Sequence, residues 1–285
     1  MVLNPQDLLK GYLEVSSLPM IYYKIDEVIH RPNTSMADIG KIVSQDPGLT
    51  VRLLRLVNSA FYNFPSKIET ITQALVIIGT QQLRELVLAT SIIHLFQGIP
   101  KDLVSMESFW RHSIACGLAA RALASYRNEA NVERFLIAGM VHDIGRLIMY
   151  KKIGDLSRCA LIQSRAKGTP LLQEEREVIG FDHSQMGRVL LQAWKLPQSL
   201  EEVVAYHHHP QRADHYPVEA AIVHIADILI NALQWGTSGS HQVPPFEPSA
   251  WDLLDLSPAI LPPLLSQLRS QVQEVVHSIL GGMEG

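Results

Sequence analysis

Apolar residues recur at helical spacing along nearly the whole chain, and strand-like alternation is scarce. Helix punctuation falls between the apolar runs. Ser35 followed by Asp38 has the form of a capping box, and Asp46-Pro47 puts proline at the first position of a helix. The run after it places Leu49, Leu53, Leu56 and Val57 on one face. Beyond the loop Phe61-Tyr62-Asn63-Phe64-Pro65, the pattern predicts a short helix from Thr70 to Ile78, stopped by Gly79, and a longer one from Gln81 to Phe96. Three aromatics in that loop are more than a turn needs. They read as a seal between helical parts or as a docking surface.

Residues 97–101 break the pattern and mark a boundary. Further helices are expected over 105–126, 131–151, 154–167, 170–179, 183–195, 199–208 and 217–235. A loop rich in Gly, Ser and Pro covers 236–248, two helices follow near 249–256 and 261–280, and the tail 281–285 is expected to fray. The expected fold class is all-α. An N-terminal helical part spans 1–100, a second spans 101–235, and the loop and helices of 236–285 pack on the second.

Polar residues interrupt the apolar helices at few places. In Val141-His142-Asp143-Ile144-Gly145-Arg146, an imidazole and a carboxylate sit in apolar sequence, which is costly unless each is paired or bound to a metal. His112 lies on the preceding helix, His183 opens a later one, His207 and His208 end another, and Asp227 interrupts Ala-Asp-Ile-Leu-Ile. Taken singly, each reads as a paired core or capping group. Taken together on successive helices, they can converge in a bundle core.

Imidazole and carboxylate without thiolate suit iron, manganese, zinc, cobalt or nickel rather than calcium. His112, His142, Asp143, His183, His207, His208 and Asp227 are therefore the candidate ligands of one or two divalent ions, with iron, zinc or manganese expected. Asp143 is the natural bridge between two ions, with room for a shared hydroxide able to attack phosphorus. Arg146, one turn on, is placed to contact phosphate oxygens, so Asp143 and Arg146 are the candidate catalytic pair. Cys116, one turn after His112, reads as core packing. His224, one turn before Asp227, reads as a support for the ligands. Gly145 and Gly187 read as points of close helix approach.

Composition narrows the classes. At 285 residues and 47% hydrophobic, the chain can bury one large core or two modest ones, and 18% charged residues imply helices buried on more than one side. A net charge of -4 and the lack of a Lys/Arg block argue against nucleic acid as a partner. Two cysteines exclude a disulfide framework and a cysteine-based zinc cluster. The apolar stretches Leu86 to Phe96 and Phe135 to Tyr150 are too short or too interrupted to span a bilayer. The opening residues lack the form of a signal peptide, so a cytoplasmic chain with no membrane association is expected.

The order H…HD…H…HH…D formed by the candidate ligands resembles the HD superfamily of metal-dependent phosphohydrolases. Asp46-Pro47-Gly48-Leu49, the run Leu53 to Ala60, and Ile71-Thr72-Gln73-Ala74 leading to Gly79 narrow this to the HDOD domain, the HD-related output domain of bacterial signalling proteins. The resemblance runs from about Leu18 to Pro210, and more loosely to Asp227. It implies an N-terminal helical bundle packed on an HD-like one, and action by binding a signalling protein or a nucleotide. With no sensor segment before Leu18, the chain is expected to act as a stand-alone module. His207-His208 followed by Tyr216-Pro217 also resembles the spacing of HD-GYP phosphodiesterases, which hydrolyse cyclic-di-GMP. Here, however, His215 stands where that family has glycine, Arg146 where it has lysine, and Ser108 where it has a ligating glutamate. Weak or no turnover of cyclic-di-GMP is therefore expected, with hydrolysis of a nucleotide or cyclic dinucleotide as the alternative function.

Overall fold

The computed structural model describes residues 3–10, 18–59, 62, 64–96 and 98–280. All regular structure among them is helical: α1 (Pro5–Leu9), α2 (Met20–Ile29), α3 (Met36–Ser44), α4 (Pro47–Val57), α5 (Ile71–Ile78), α6 (Thr80–Leu95), α7 (Met106–Tyr126), α8 (Glu133–Val141), α9 (Ile144–Lys152), α10 (Gly154–Lys167), α11 (Leu171–Ile179), α12 (His183–Ala193), α13 (Gln198–Tyr206), α14 (Pro217–Leu233), α15 (Pro248–Leu254) and α16 (Leu261–Leu280). No helix among the described residues is long and apolar enough to cross a membrane.

Packing divides the chain into two units, Met1–Ser17 with Phe96–Leu264, and Leu18–Leu95 with Leu265–Gly285. Neither unit is one continuous stretch. α1 packs on α12, and most of α16 falls with the unit of α2–α6, whereas the sequence pattern grouped it with the second half. An amphipathic stripe such as Leu264, Leu268, Val272, Val275 and Ile279 says that a helix docks. It does not say on which surface.

In the unit of α2–α6, polar side chains begin and end helices. Ser35 and Asp38 close a reciprocal capping box, Thr70 and Gln73 close another, and the Asp46 carboxylate accepts from Leu49 N. Asn58 closes the loop after α4: its Nδ2 donates to the carbonyls of Leu54 and Ile68, each at 2.7 Å, and its Oδ1 accepts from Ile68 N at 2.7 Å. Leu49, Leu53, Leu56 and Val57 are all buried. Within the aromatic loop, Tyr62 and Phe64 stack with ring centroids 5.6 Å apart. Ala60, Phe61 and Asn63 lie outside the described residues, as does the tail 281–285.

In the other unit, α7 packs along α8 and α14, and α9 along α12. The helix expected over 131–151 is broken into α8 and α9 at His142-Asp143, where Asp143 has φ -98° and ψ 9°. Consecutive side chains on an unbroken helix point about 100° apart. The break lets both residues turn toward the same interior point.

Candidate metal centre

Two close helix crossings position the site. A Cβ on Gly139 of α8 would lie 2.7 Å from the Cys116 carbonyl oxygen and the backbone of Gly117, so α7 and α8 touch backbone to backbone. That contact sets His112 and Cys116, four residues apart on one face of α7, beside His142 at the end of α8. A Cβ on Gly145 of α9 would collide with the His183 carbonyl oxygen and fall 2.6 Å from Gly187 N. Any side chain there would push apart the backbones that carry Asp143 and His183. His207 and His208 follow the end of α13, and Asp227 projects from α14.

The seven candidate ligands meet in two groups, joined by Cys116. The first comprises His112, Cys116, His142 and Asp227, and the second Asp143, His183, His207 and His208; within each group the ligand atoms lie within 4.8 Å of one another. In the first, Asp227 Oδ1 is 3.2 Å from His112 Nε2 and 3.4 Å from His142 Nε2. In the second, His183 Nε2 is 3.0 Å from Asp143 Oδ1, 3.4 Å from His207 Nε2 and 3.1 Å from His208 Nε2. Asp143 faces both groups: its Oδ2 is 3.3 Å from His142 Nε2, while its Oδ1 turns to His183. All eight residues are buried; the most open, His208, is 9% exposed.

The outer nitrogens fix the inner ones. His142 Nδ1 donates to the Gly139 carbonyl at 2.7 Å, His207 Nδ1 to the Val204 carbonyl at 2.9 Å, and His183 Nδ1 to Glu175 Oε2 at 2.5 Å. These partners only accept, so each Nδ1 carries hydrogen, and in its neutral form each ring turns an Nε2 lone pair inward. Facing lone pairs at 3.4 Å repel unless a cation lies between them. His142 Nε2 and Asp143 Oδ1 are moreover buried without a hydrogen-bond partner. Orphaned acceptors of this kind in a dry core are the signature of a cation site. The donor set, imidazole, carboxylate and one thiol, fits a transition metal.

The electrostatics point the same way. Burial pushes the His142 imidazole down, yet Asp143 and Asp227 beside it outweigh that and hold it up to about 10. Burial and Arg146 also push His183 down, but Glu175 and Asp143 raise it to about 9. Burial and the neighbouring imidazoles push His207 and His208 well below the usual range. Burial pushes both carboxylates up, but Arg146 and the imidazoles hold Asp143, and His112 and His142 hold Asp227, well below the usual carboxylate range. The positive charge beside the carboxylate pair comes from the imidazoles and the Arg146 guanidinium, a role that a bound cation would share.

Arg146 is buried and fully engaged. Its Nη1 donates to Asp143 Oδ2 at 2.8 Å and to Ser238 Oγ, and its Nε donates to Glu175 Oε1 at 3.3 Å. It braces Asp143 from within the wall of a cavity of about 120 Å³, which Asp227, His208 and Asn231 also line. The loop after α14 lines one side of that cavity. Tyr150 Oη donates to the Ser238 carbonyl at 2.7 Å, and Glu247 N donates to His224 Nε2 at 3.1 Å. His224 Nδ1 in turn donates to the His207 carbonyl at 2.7 Å, tying the loop to the ligand segment.

The sequence reading missed Glu175 and assigned Cys116 to packing. Glu175 sits in the charged run Glu174 to Glu177, which reads as a solvated face. Its signal was the spacing Leu171, Glu175, Ile179, which places it on the buried stripe of α11. Cys116 carried its signal in the four-residue step from His112.

The HDOD domain family matches residues 15–210, and the chain belongs to that family. An HDOD domain protein of unknown function from Geobacter sulfurreducens shares the fold over 97% of both chains, with a TM-score of 0.75 and 19% identity. A Shewanella amazonensis protein, named as a candidate phosphohydrolase, shares it over 95% of this chain and 97% of its own, with a TM-score of 0.74 and 23% identity. An uncharacterized protein of Treponema pallidum (strain Nichols) is 25% identical over 235 residues, 81% of this chain. The match spans 45% of that relative's own length.

Proposed function

We propose that this HDOD chain is a bacterial, cytoplasmic signal-transduction output module. It holds one or two divalent transition-metal ions, iron, zinc or manganese, and acts by binding a signalling protein or a nucleotide. The observation that carries the metal assignment is the pair of buried, unpartnered atoms His142 Nε2 and Asp143 Oδ1, facing the groups formed by His112, His183, His207, His208 and Asp227. Binding is favoured over turnover by size. The inner cavity, about 120 Å³, is well below the roughly 300–1,000 Å³ of pockets that enclose a drug-sized ligand. A hollow of about 510 Å³ lined by Ser105, Ser108, Arg111, Asn231 and Thr237 has the size for a nucleotide, and Asn231 and Ser240 are common to both.

One observation favours the second reading, a metal-dependent phosphohydrolase: Asp143 offers one carboxylate oxygen to each group. Ions held by the seven candidate ligands would supply Lewis acidity toward a phosphoryl oxygen. In that reading Asp143 orients both halves of the centre, Arg146 holds Asp143 in place and balances its charge, and Glu175 keeps the His183 ring turned inward.

Elemental analysis of protein purified without added metal or a nickel column tests the centre, and turnover assays on metal-replete protein test the function. Metal is expected, with weak or no hydrolysis of cyclic-di-GMP. Robust hydrolysis that His142→Ala abolishes would make the chain an enzyme. A metal-free preparation whose stability is unchanged by chelation would reduce the centre to core polar residues.

A further inference from the structure

We infer that Cys116 is a thiolate ligand in the first group, so that His112, Cys116, His142 and Asp227 form a four-coordinate site for a borderline-to-soft divalent ion such as zinc. This site is chemically distinct from the nitrogen-and-oxygen group around Asp143. The inference rests on the metal-centre reading and names a ligand that the HD-type set lacks.

Spacing carries it. At ordinary zinc bond lengths of about 2.0–2.2 Å to nitrogen or oxygen and 2.3 Å to sulfur, tetrahedral angles separate nitrogen and oxygen ligands by about 3.3 Å. They separate sulfur from either by about 3.6 Å. Here His112 Nε2 and Asp227 Oδ1 are 3.2 Å apart, and His142 Nε2 and Asp227 Oδ1 are 3.4 Å apart. Cys116 Sγ is 3.5 Å from His112 Nε2 and 3.9 Å from Asp227 Oδ1. Four of the six edges of such a tetrahedron are thus matched to within about 0.3 Å, and the remaining two pairs lie within 4.8 Å.

A second observation is independent of the cysteine. His142 is 0% exposed, and its Nε2 points into this group with no hydrogen-bond partner. Cys116 is buried as well, and its Sγ lies within 4.8 Å of that nitrogen. Binding breaks the S–H bond and forms a sulfur–metal bond, and the thiol proton leaves to the buffer. A thiolate among the ligands selects zinc or another thiophilic ion at this site. The second group retains the choice open to imidazole and carboxylate.

The chain has two cysteines, and Cys159 is exposed, so a Cys159→Ser chain keeps Cys116 as its sole thiol. This protein is stripped with chelator and titrated with cobalt(II). The first equivalent should raise an intense near-ultraviolet sulfur-to-cobalt charge-transfer band and release a proton. The second equivalent should add only d–d bands. Adding Cys116→Ser should abolish the charge-transfer band, keep the d–d bands and weaken the first equivalent at least about tenfold, as loss of a metal-supporting group does. Cobalt that binds with d–d bands but no charge transfer, in the chain that retains Cys116, overturns the inference while leaving the centre intact. Failure to bind cobalt at all sinks the metal-centre reading and this inference with it. Neither decisive result depends on the Cys116 variant folding.

Discussion

The two units of the chain use buried and half-buried polar groups in opposite ways. Around α2–α6, most capping and loop-closing polar side chains close on partners within the chain, and the unpartnered atoms Arg52 Nε, Arg84 Nε and His94 Nε2 are scattered over two helices. Ser35 pairs with Asp38, Thr70 with Gln73, and Asn58 with Leu54 and Ile68. Arg84 lies 2.7 Å from Asp26 and 3.1 Å from Glu85. Around α7–α14, polar groups sit deeper, and some at the centre make no hydrogen bond and cluster together, His142 Nε2 and Asp143 Oδ1 among them. The stretch Asp46 to Ser59, part of the run on which the family resemblance was read, is thus largely helix punctuation and core. The chemistry lies in scattered residues that share no contiguous motif. A signature identifies a fold when its polar groups are satisfied, and points to a ligand when they are not.

Four substitutions test that contrast, and the first should act most strongly. Asp143→Ala removes the carboxylate that faces both groups and leaves Arg146 with only Glu175 as a carboxylate partner. Breaking a buried charge pair costs about 3–5 kcal/mol, and the purified protein should lose most of its metal by elemental analysis. A variant that kept both its metal and its stability would erase the distinction between the units. Gly145→Ala comes next. Its methyl meets backbone rather than a movable side chain, so chemical denaturation should show a loss of about 3 kcal/mol, with metal content falling as the α9–α12 contact opens.

Asn58→Ala should lower stability by about 1 kcal/mol through its lost backbone hydrogen bonds and leave metal content unchanged. A fall in metal content would show that the two units are coupled at the centre. The smallest effect is expected at Glu202, the residue of the unit with the candidate centre that behaves most like the other unit. Its carboxylate accepts from His215 N at 3.0 Å and Tyr216 N at 3.2 Å, at the start of α14. Burial pushes it up, but those donors and the His215 side chain hold it below its ordinary value of 4.5. A depressed carboxylate contributes stability that is present above the unfolded-state value and is lost as pH falls through the folded one. Glu202→Gln should therefore cost about 1 kcal/mol near neutral pH, and its gap from the parent should close in acid. A gap that widened in acid would reverse the sign assigned to Glu202.

The all-helical fold was legible because apolar spacing and capping residues agree along most of the chain: helix 154–167 begins and ends as the pattern predicts. The candidate ligands were legible because a histidine or aspartate in an apolar helix has few inexpensive explanations. The break at His142-Asp143 was not. Neither residue is a helix breaker, and the surrounding sequence has every feature of a continuous helix, so tertiary contacts override local preference. Glu175 was hidden by charged neighbours. Cys116 was hidden because a buried cysteine is ordinary, and only the distances to His112 and Asp227 set it apart. The placement of α16 was beyond sequence pattern, since its stripe suits more than one surface.

The tethered loop after α14 has a consequence for time rather than affinity. A cavity of about 120 Å³ holds on the order of four waters at roughly 30 Å³ each. Tyr150 holding Ser238 and His224 holding Glu247 keep the loop against this cavity, which leaves a chelator little room beside His208. Where parting of those contacts is the slow step, the rate of ion loss would stop rising with chelator concentration. The centre would then keep whichever metal it first captured over the protein's working life, and its content would record the supply at the moment of folding.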